Sequence, residues 1–134
     1  MNFGESLYTG LSAELTITVT GENSASAWGS GNLPVFATPA MIALMESASA
    51  AAVQDKLPPG YSTVGAEVKV RHLSATPQGM EVRARGELTE INGRRLSFKV
   101  EAWDDAGKIG EGSHERFIIE NQPFLKKTGE KLKK

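Results

Sequence analysis

The sequence predicts an α+β fold: one long buried helix wrapped by a curved antiparallel sheet of five strands, in a homodimer. Three observations predict it. First, Thr38 to Gln54, TPAMIALMESASAAAVQ, is apolar or small almost all the way round, as befits a helix enclosed by its surroundings. Second, one run before that helix and four after it alternate apolar and polar residues, the period of a half-buried strand. Third, the runs after the helix are joined by short turns, Asn92-Gly93 the strongest of them, and such turns make neighbouring strands antiparallel.

The elements follow in order. Residues 11–20, LSAELTITVT, set Leu15, Ile17 and Val19 against Glu14, Thr16, Thr18 and Thr20. The next stretch, 21–34, is rich in Gly, Ser and Asn and reads as a loop. Trp28 within it is a lid, over either the local core or a ligand. Val35 and Phe36 lead into the helix, which Thr38 caps and Pro39 begins, since a first-turn proline loses no hydrogen bond. Pro58-Pro59-Gly60 ends the helical region. In residues 61–74, YSTVGAEVKVRHLS, strict alternation places Val64, Ala66, Val68, Val70 and His72 on one face. A third strand, MEVRARGELTEI, a fourth, RRLSFKVEAW, and a fifth, KIGEGSHERFIIE, follow. The fourth buries Leu96, Phe98, Val100 and Ala102. The domain is expected over residues 1–125 and a basic, solvated tail over 126–134. An edge strand and a modest core suggest a dimer with edges paired across subunits.

Composition narrows the function classes. With 134 residues, 40% hydrophobic and 23% charged, the chain fits one globular domain. No apolar run reaches the ~20 residues of a membrane helix, so no membrane partner is expected. The opening MNFGESLYTG lacks a basic and an apolar signal region, and there is no Cys; a cytoplasmic location is the expectation. The last nine residues carry five Lys and one Glu, while the preceding 125 carry ten Lys and Arg against 15 Asp and Glu. An acidic body without a basic-aromatic stripe disfavours nucleic acid. The tail is either a solvated end or a basic arm that attracts a polyanion.

Polar residues placed on core-facing surfaces are few: Thr38, Glu46 and His72. Glu46 is the one charge in the helix, and a carboxylate in an apolar interior must be paired, hydrogen-bonded or protonated. Thr38 and Glu46 are eight residues apart, about 800° of turn and ~12 Å of rise. They meet only through a third group or a partner subunit. A hydroxyl at a helix start lies beside free N–H groups, a carboxylate can attack a carbonyl or activate water, and an imidazole can orient either or protonate a leaving group. Taken singly, each has a plain structural explanation: a cap, a structural ion pair, a satisfied core histidine. His114 is a second candidate base, but Gly112, Ser113, Glu115 and Arg116 around it read as a solvent-facing strand end, which makes it a structural residue. Arg71, Arg83, Arg85, Arg94 and Arg95 read as solvated strand faces. No cluster has metal-ligand spacing.

VFATPAMIALMESA, followed by Gly65 and RHLSATP, resembles the hotdog-fold thioesterases, in particular the fluoroacetyl-CoA thioesterase type. The resemblance runs from about Ser12 to Glu120. It implies a hotdog fold, a homodimer or a tetramer built from it, and active sites at the subunit interface. It places the family's catalytic Thr, Glu and His on Thr38, Glu46 and His72, with spacings of eight and 26. Gly65 matches a glycine lining the acyl site and Arg116 an arginine of the last strand near it; Phe36 joins them as a substrate-binding candidate. The implied activity is hydrolysis of a small acyl-CoA, with CoA part of the substrate and no separate cofactor. The family's lid Phe side chains are replaced here by Gly29 and Asn32, so the resemblance implies the hydrolase without the fluoroacetyl preference. Two other readings belong to the same fold: a non-catalytic acyl-CoA binding or sensing module, and a dehydratase, whose Asp-His motif this chain lacks.

Overall fold

In the computed structural model, which describes Phe3 and residues 6–133, five strands form one antiparallel sheet in the order β1-β3-β4-β5-β2. They are β1 (Ser12–Thr18), β2 (Tyr61–His72), β3 (Glu81–Asn92), β4 (Arg95–Asp104) and β5 (Gly107–Glu120). Two helices precede β2, the single turn α1 (Ala25–Trp28) and the long α2 (Thr38–Gln54). β1 and β2 are the sheet's edges.

α2 has the predicted bounds, and one protomer's sheet buries one stripe of it. Ala40, Met41, Leu44, Met45, Ala48, Ser49, Ala52 and Val53 form its buried stripe, which packs on β3 and β1. The other side is open or half-open: Thr38, Ser47 and Ala51 are exposed, and Ala43, Glu46 and Ala50 are half-buried. The sheet of one protomer wraps only part of the helix. Contact on the wrapped side is close enough to exclude a side chain on β3. A Cβ at Gly86 would lie 2.8 Å from the Ser49 backbone, so the helix lies almost directly on the sheet there.

Thr38 is not the cap. Ala37 holds the cap position in extended geometry, and Thr38 is the first helical residue. Pro39 still falls in the first turn, where no intrahelical donor is lost. The Thr38 hydroxyl is thereby free for a partner outside the helix.

β2 corrects the strict alternation. Its register against β5 shifts between Gly65 and Glu67, so Ala66 is the extra residue of a bulge. A bulge exchanges the two faces of the strand beyond it. Thr63 and Gly65 before it, and Val68, Val70 and His72 after it, pair with Ile118, Arg116, His114, Gly112 and Gly110. These share the inner face, whereas Val64 and Ala66 do not join it.

The inner face of β5 is therefore Gly110, Gly112, His114, Arg116 and Ile118. His114 is 2% exposed, which overturns its placement on a solvent-facing strand end. The glycines hide this face from a hydropathy reading, and at least one is there for room: a Cβ at Gly110 would lie 2.5 Å from the Met41 sulfur. After β5 the chain forms α3 (Asn121–Gly129), exposed from Gln122 onward, then a 3₁₀ turn over Glu130–Lys133. Lys126 and Lys127 belong to α3, whose first amide donates to the Gly60 carbonyl at 2.8 Å.

Candidate active site

The fold gathers the chemistry-bearing residues into two cavities. The first, about 300 Å³, lies where α2 begins and β2 ends, and Thr38, His72, Phe36 and Ser30 are in its wall. Thr38 Oγ1 and His72 Nδ1 are 2.7 Å apart, a good hydroxyl–imidazole hydrogen bond. His72 Nε2 is buried and has no hydrogen-bond partner among the described residues. Burial holds the His72 imidazole below the ordinary histidine pKa, against a smaller opposing pull from the Ser74 backbone. Burial therefore favours the neutral ring, which in its Nε2–H tautomer accepts the Thr38 hydroxyl proton at Nδ1. The Thr38 and Ala40 amides, in the first turn, have no partners within the helix, while Pro39 supplies no amide.

Phe36 is fully buried as a wall of this cavity. Trp28 does not line it. Its indole N–H donates to the Glu22 carbonyl at 2.8 Å and its ring is half exposed, so it lids neither the core nor this cavity. The segment from Gly29 to Leu33 is exposed beside the cavity, and of its residues only Ser30 enters the wall.

The second cavity, about 470 Å³, lies along the open side of α2 against β2, and Glu46, Thr63, Gly65 and Arg116 are in its wall. Glu46 is half-buried and makes no hydrogen bond or ion pair within 4.0 Å among the described residues. It packs on Gly65, where a Cβ would sit 2.9 Å from Glu46 Oε2 and 3.4 Å from Arg116 Nη1. Glycine at 65 is what lets the carboxylate and the guanidinium share this space.

Arg116 is 9% exposed and anchored on three sides. Its Nε donates to Thr63 Oγ1 at 2.7 Å, its Nη2 to the Thr63 carbonyl at 2.9 Å, and its Nη1 faces His114 Nε2 at 3.1 Å. His114 Nδ1 lies 2.7 Å from the Glu67 carbonyl, at the bulge. Burial lowers the His114 pKa most; the Glu67 carbonyl opposes, the Arg116 charge lowers it further and Glu46 raises it. Burial likewise lowers the Arg116 pKa, with Glu46 opposing, but a guanidinium remains a cation.

Sequence reasoning named Thr38, Glu46, His72, Gly65, Arg116 and Phe36, and the fold unites Thr38 with His72 and Phe36, and Glu46 with Gly65 and Arg116. It does not bring the two groups into one cavity. Thr63 and His114 were missed as site residues. The signal was there in part: once Arg116 is placed inward, alternation along β5 places His114 inward as well. Among the described residues, no three His, Asp or Glu side chains are gathered as a metal site, and no helix is long and apolar enough to cross a membrane.

The profile of the family described as fluoroacetyl-CoA-specific thioesterase matches residues 19–122. A fluoroacetyl-CoA thioesterase from Streptantibioticus cattleyicolor is 42% identical over 97 residues, which cover 72% of this chain and 70% of that protein. A crystal structure of a fluoroacetyl-CoA thioesterase superposes with a TM-score of 0.87 at 33% identity, covering 93% of this chain and 97% of the other. A hot-dog-like protein from Thermanaerovibrio acidaminovorans, 23% identical, has a TM-score of 0.88 over 98% of this chain and 97% of its own, a likeness of fold. The chain belongs to the fluoroacetyl-CoA-specific thioesterase family, and is a thioester hydrolase on the hotdog fold.

Proposed function

We propose that the chain hydrolyses a small acyl-CoA as a homodimer, each active site built from Thr38 and His72 of one protomer and Glu46, Gly65 and Arg116 of the other. The observation that carries this is the division of the site into two cavities at opposite ends of one edge strand. β2 holds both His72 and Gly65 and has one side unpaired within the protomer. Antiparallel pairing of β2 with its copy, about a two-fold axis through Lys69 and with Ala66 bulged out of the ladder, sets Gly65 opposite the partner's His72. Each half then faces its complement, the edge is satisfied, and the open side of α2 is covered. A tetramer is two such dimers.

In the joined site the thioester carbonyl lies between the halves. Glu46 acts on that carbon, either directly, forming an anhydride that water opens, or by taking a proton from the attacking water. The C–S bond breaks and the CoA thiolate leaves, taking a proton from the Thr38–His72 pair, and the water that completes hydrolysis returns that proton to the pair. Free first-turn amides and the Arg116 guanidinium stabilise developing negative charge on oxygen. CoA arrives as part of the substrate, no further cofactor is proposed, and a cytoplasmic setting suits a CoA ester.

The acyl group is not confined to fluoroacetyl, because Gly29 and Asn32 leave no aromatic lid over the Thr38 cavity. A panel of short acyl-CoAs, with thiol release followed in time, tests this reading. The expected result is turnover of several members, with acetyl-CoA and fluoroacetyl-CoA within about tenfold of each other, since a single added contact changes discrimination by about that much. Saturable binding with no thiol release from any member contradicts hydrolysis and marks a binding module instead.

A further inference from the structure

His114 is buried, is not part of the reaction described above, and has both ring nitrogens engaged by fixed partners. A carbonyl only accepts, so the Glu67 carbonyl at 2.7 Å requires a proton on Nδ1. A guanidinium only donates, so Arg116 Nη1 at 3.1 Å requires a bare Nε2. The two partners together specify one species, the neutral Nδ1–H tautomer. A second proton would be placed on Nε2 against a cation, in a pocket closed to water.

The surroundings agree from every side. β5 supplies Arg116; β2 supplies the Glu67 carbonyl and, through Gly65, contact at the ring edge, where a Cβ would lie 3.3 Å from His114 Cε1. β4 supplies Phe98, its ring centroid 6.3 Å away and uncharged. α2 supplies Glu46, the acidic side chain that acts on the ring among the described residues. His114 is therefore no proton shuttle.

What it does is spend one donor of Arg116. A guanidinium has five N–H donors. Three are engaged, by Thr63 Oγ1, the Thr63 carbonyl and His114, which leaves two, on Nη1 and Nη2, for the Glu46 cavity. An unanchored arginine samples many rotamers and loses that freedom on binding. We propose that His114, with Thr63, is a positioning residue: it fixes the Arg116 fork beside Glu46, so that the free donors meet the acyl-carbonyl end of the substrate already aimed. This rests on Arg116 being a substrate-binding residue.

The chain has two histidines, so nitrogen NMR of the imidazoles tests the tautomer without any assay. His114 is expected as the neutral Nδ1–H form throughout pH 6 to 8, with a sharp, slowly exchanging Arg116 Nε–H signal. An Nε2–H tautomer, or an ordinary titration near pH ~6.5, overturns the proposal whether or not the protein is an enzyme. Kinetics supply the second arm. His114→Phe and Thr63→Val are expected to raise KM about ten- to a hundredfold, the loss of a charge-assisted hydrogen bond, with kcat changed less than about threefold. Thr63→Ser, which keeps the hydroxyl, restores the native KM. Unchanged KM in both His114→Phe and Thr63→Val, or equal loss of kcat and KM effects in Thr63→Ser, overturns it. If His114→Phe does not fold, Thr63→Val and the spectra of the native protein decide. A native protein that turns over no acyl-CoA removes the hydrolase reading alone, and the spectra still decide the positioning of Arg116.

Discussion

Glu46→Gln is expected to lower kcat by about 10²- to 10⁴-fold, the range for removing a positioned acid or base. The melting temperature should fall by no more than a few degrees, since glutamine keeps the volume and removes only the charge that opposes the burial of Arg116. The separation of the two effects follows from the geometry. The carboxylate makes no hydrogen bond or ion pair within its protomer among the described residues, and it is half exposed to an open cavity. Glutamine fills the same volume against Gly65, but it neither attacks a carbonyl nor takes a proton from water. Steady-state thiol release and a thermal melt on one preparation check both halves. A retained rate contradicts the role of Glu46; a collapsed melt shows a structural carboxylate instead.

Removing the imidazole should be comparably severe. His72→Ala is expected to cost about 10²- to 10⁴-fold in kcat/KM, because Thr38 then loses the nitrogen 2.7 Å from its hydroxyl. The native pH profile carries the same information. His72 accepts from Thr38 only while neutral, and burial lowers its pKa. Activity should therefore hold from pH 7 downward and fall, with unit slope, only as pH drops through a midpoint below the ordinary ~6.5 of histidine. In His72→Ala the part of the acid limb at that midpoint should vanish. A midpoint at or above pH 7 would mean a histidine stabilised in its charged form, contrary to its burial.

The legible parts of the fold are those dictated by local chemistry. The limits of α2 follow from Pro39 and Pro58-Pro59-Gly60, and the hairpins from Asn92-Gly93 and Asp104 to Gly107, where Gly93 and Gly107 adopt positive φ of 62° and 149°. What sequence could not show arises where a neighbouring strand decides. The bulge at Ala66 is a register event between β2 and β5, and Gly65, a glycine inside a strand pattern, hints at it without fixing the register. Without the bulge His72 and Gly65 cannot share a face, because an odd separation puts them on opposite sides. His114 was misplaced because glycines occupy the inward positions before it, Gly110 to make room for Met41 and Gly112 against Val70 of β2, and so erase the apolar signal. For the site, the three residue types and their spacing were legible, since each is chemically distinctive. Its division was foreshadowed only by the ~12 Å between Thr38 and Glu46 along the helix. The anchoring of Arg116 by Thr63 was not, because two strands remote in sequence supply it.

The account depends on each site being shared between two copies of the chain. Mixed dimers test that directly. His72→Ala and Glu46→Gln, each inactive alone, are co-expressed in equal amounts with separate tags, and the pooled dimers are assayed. Half the dimers are then mixed. A shared site leaves each mixed dimer with one site carrying both defects and one carrying neither, so about one quarter of native activity should return. His72→Ala paired with Thr38→Ala, two defects in the same half, should return none. If the first mixture stays as inactive as its parents while mixed dimers are recovered through both tags, every site lies within one chain, and the division of labour argued from the two cavities is wrong.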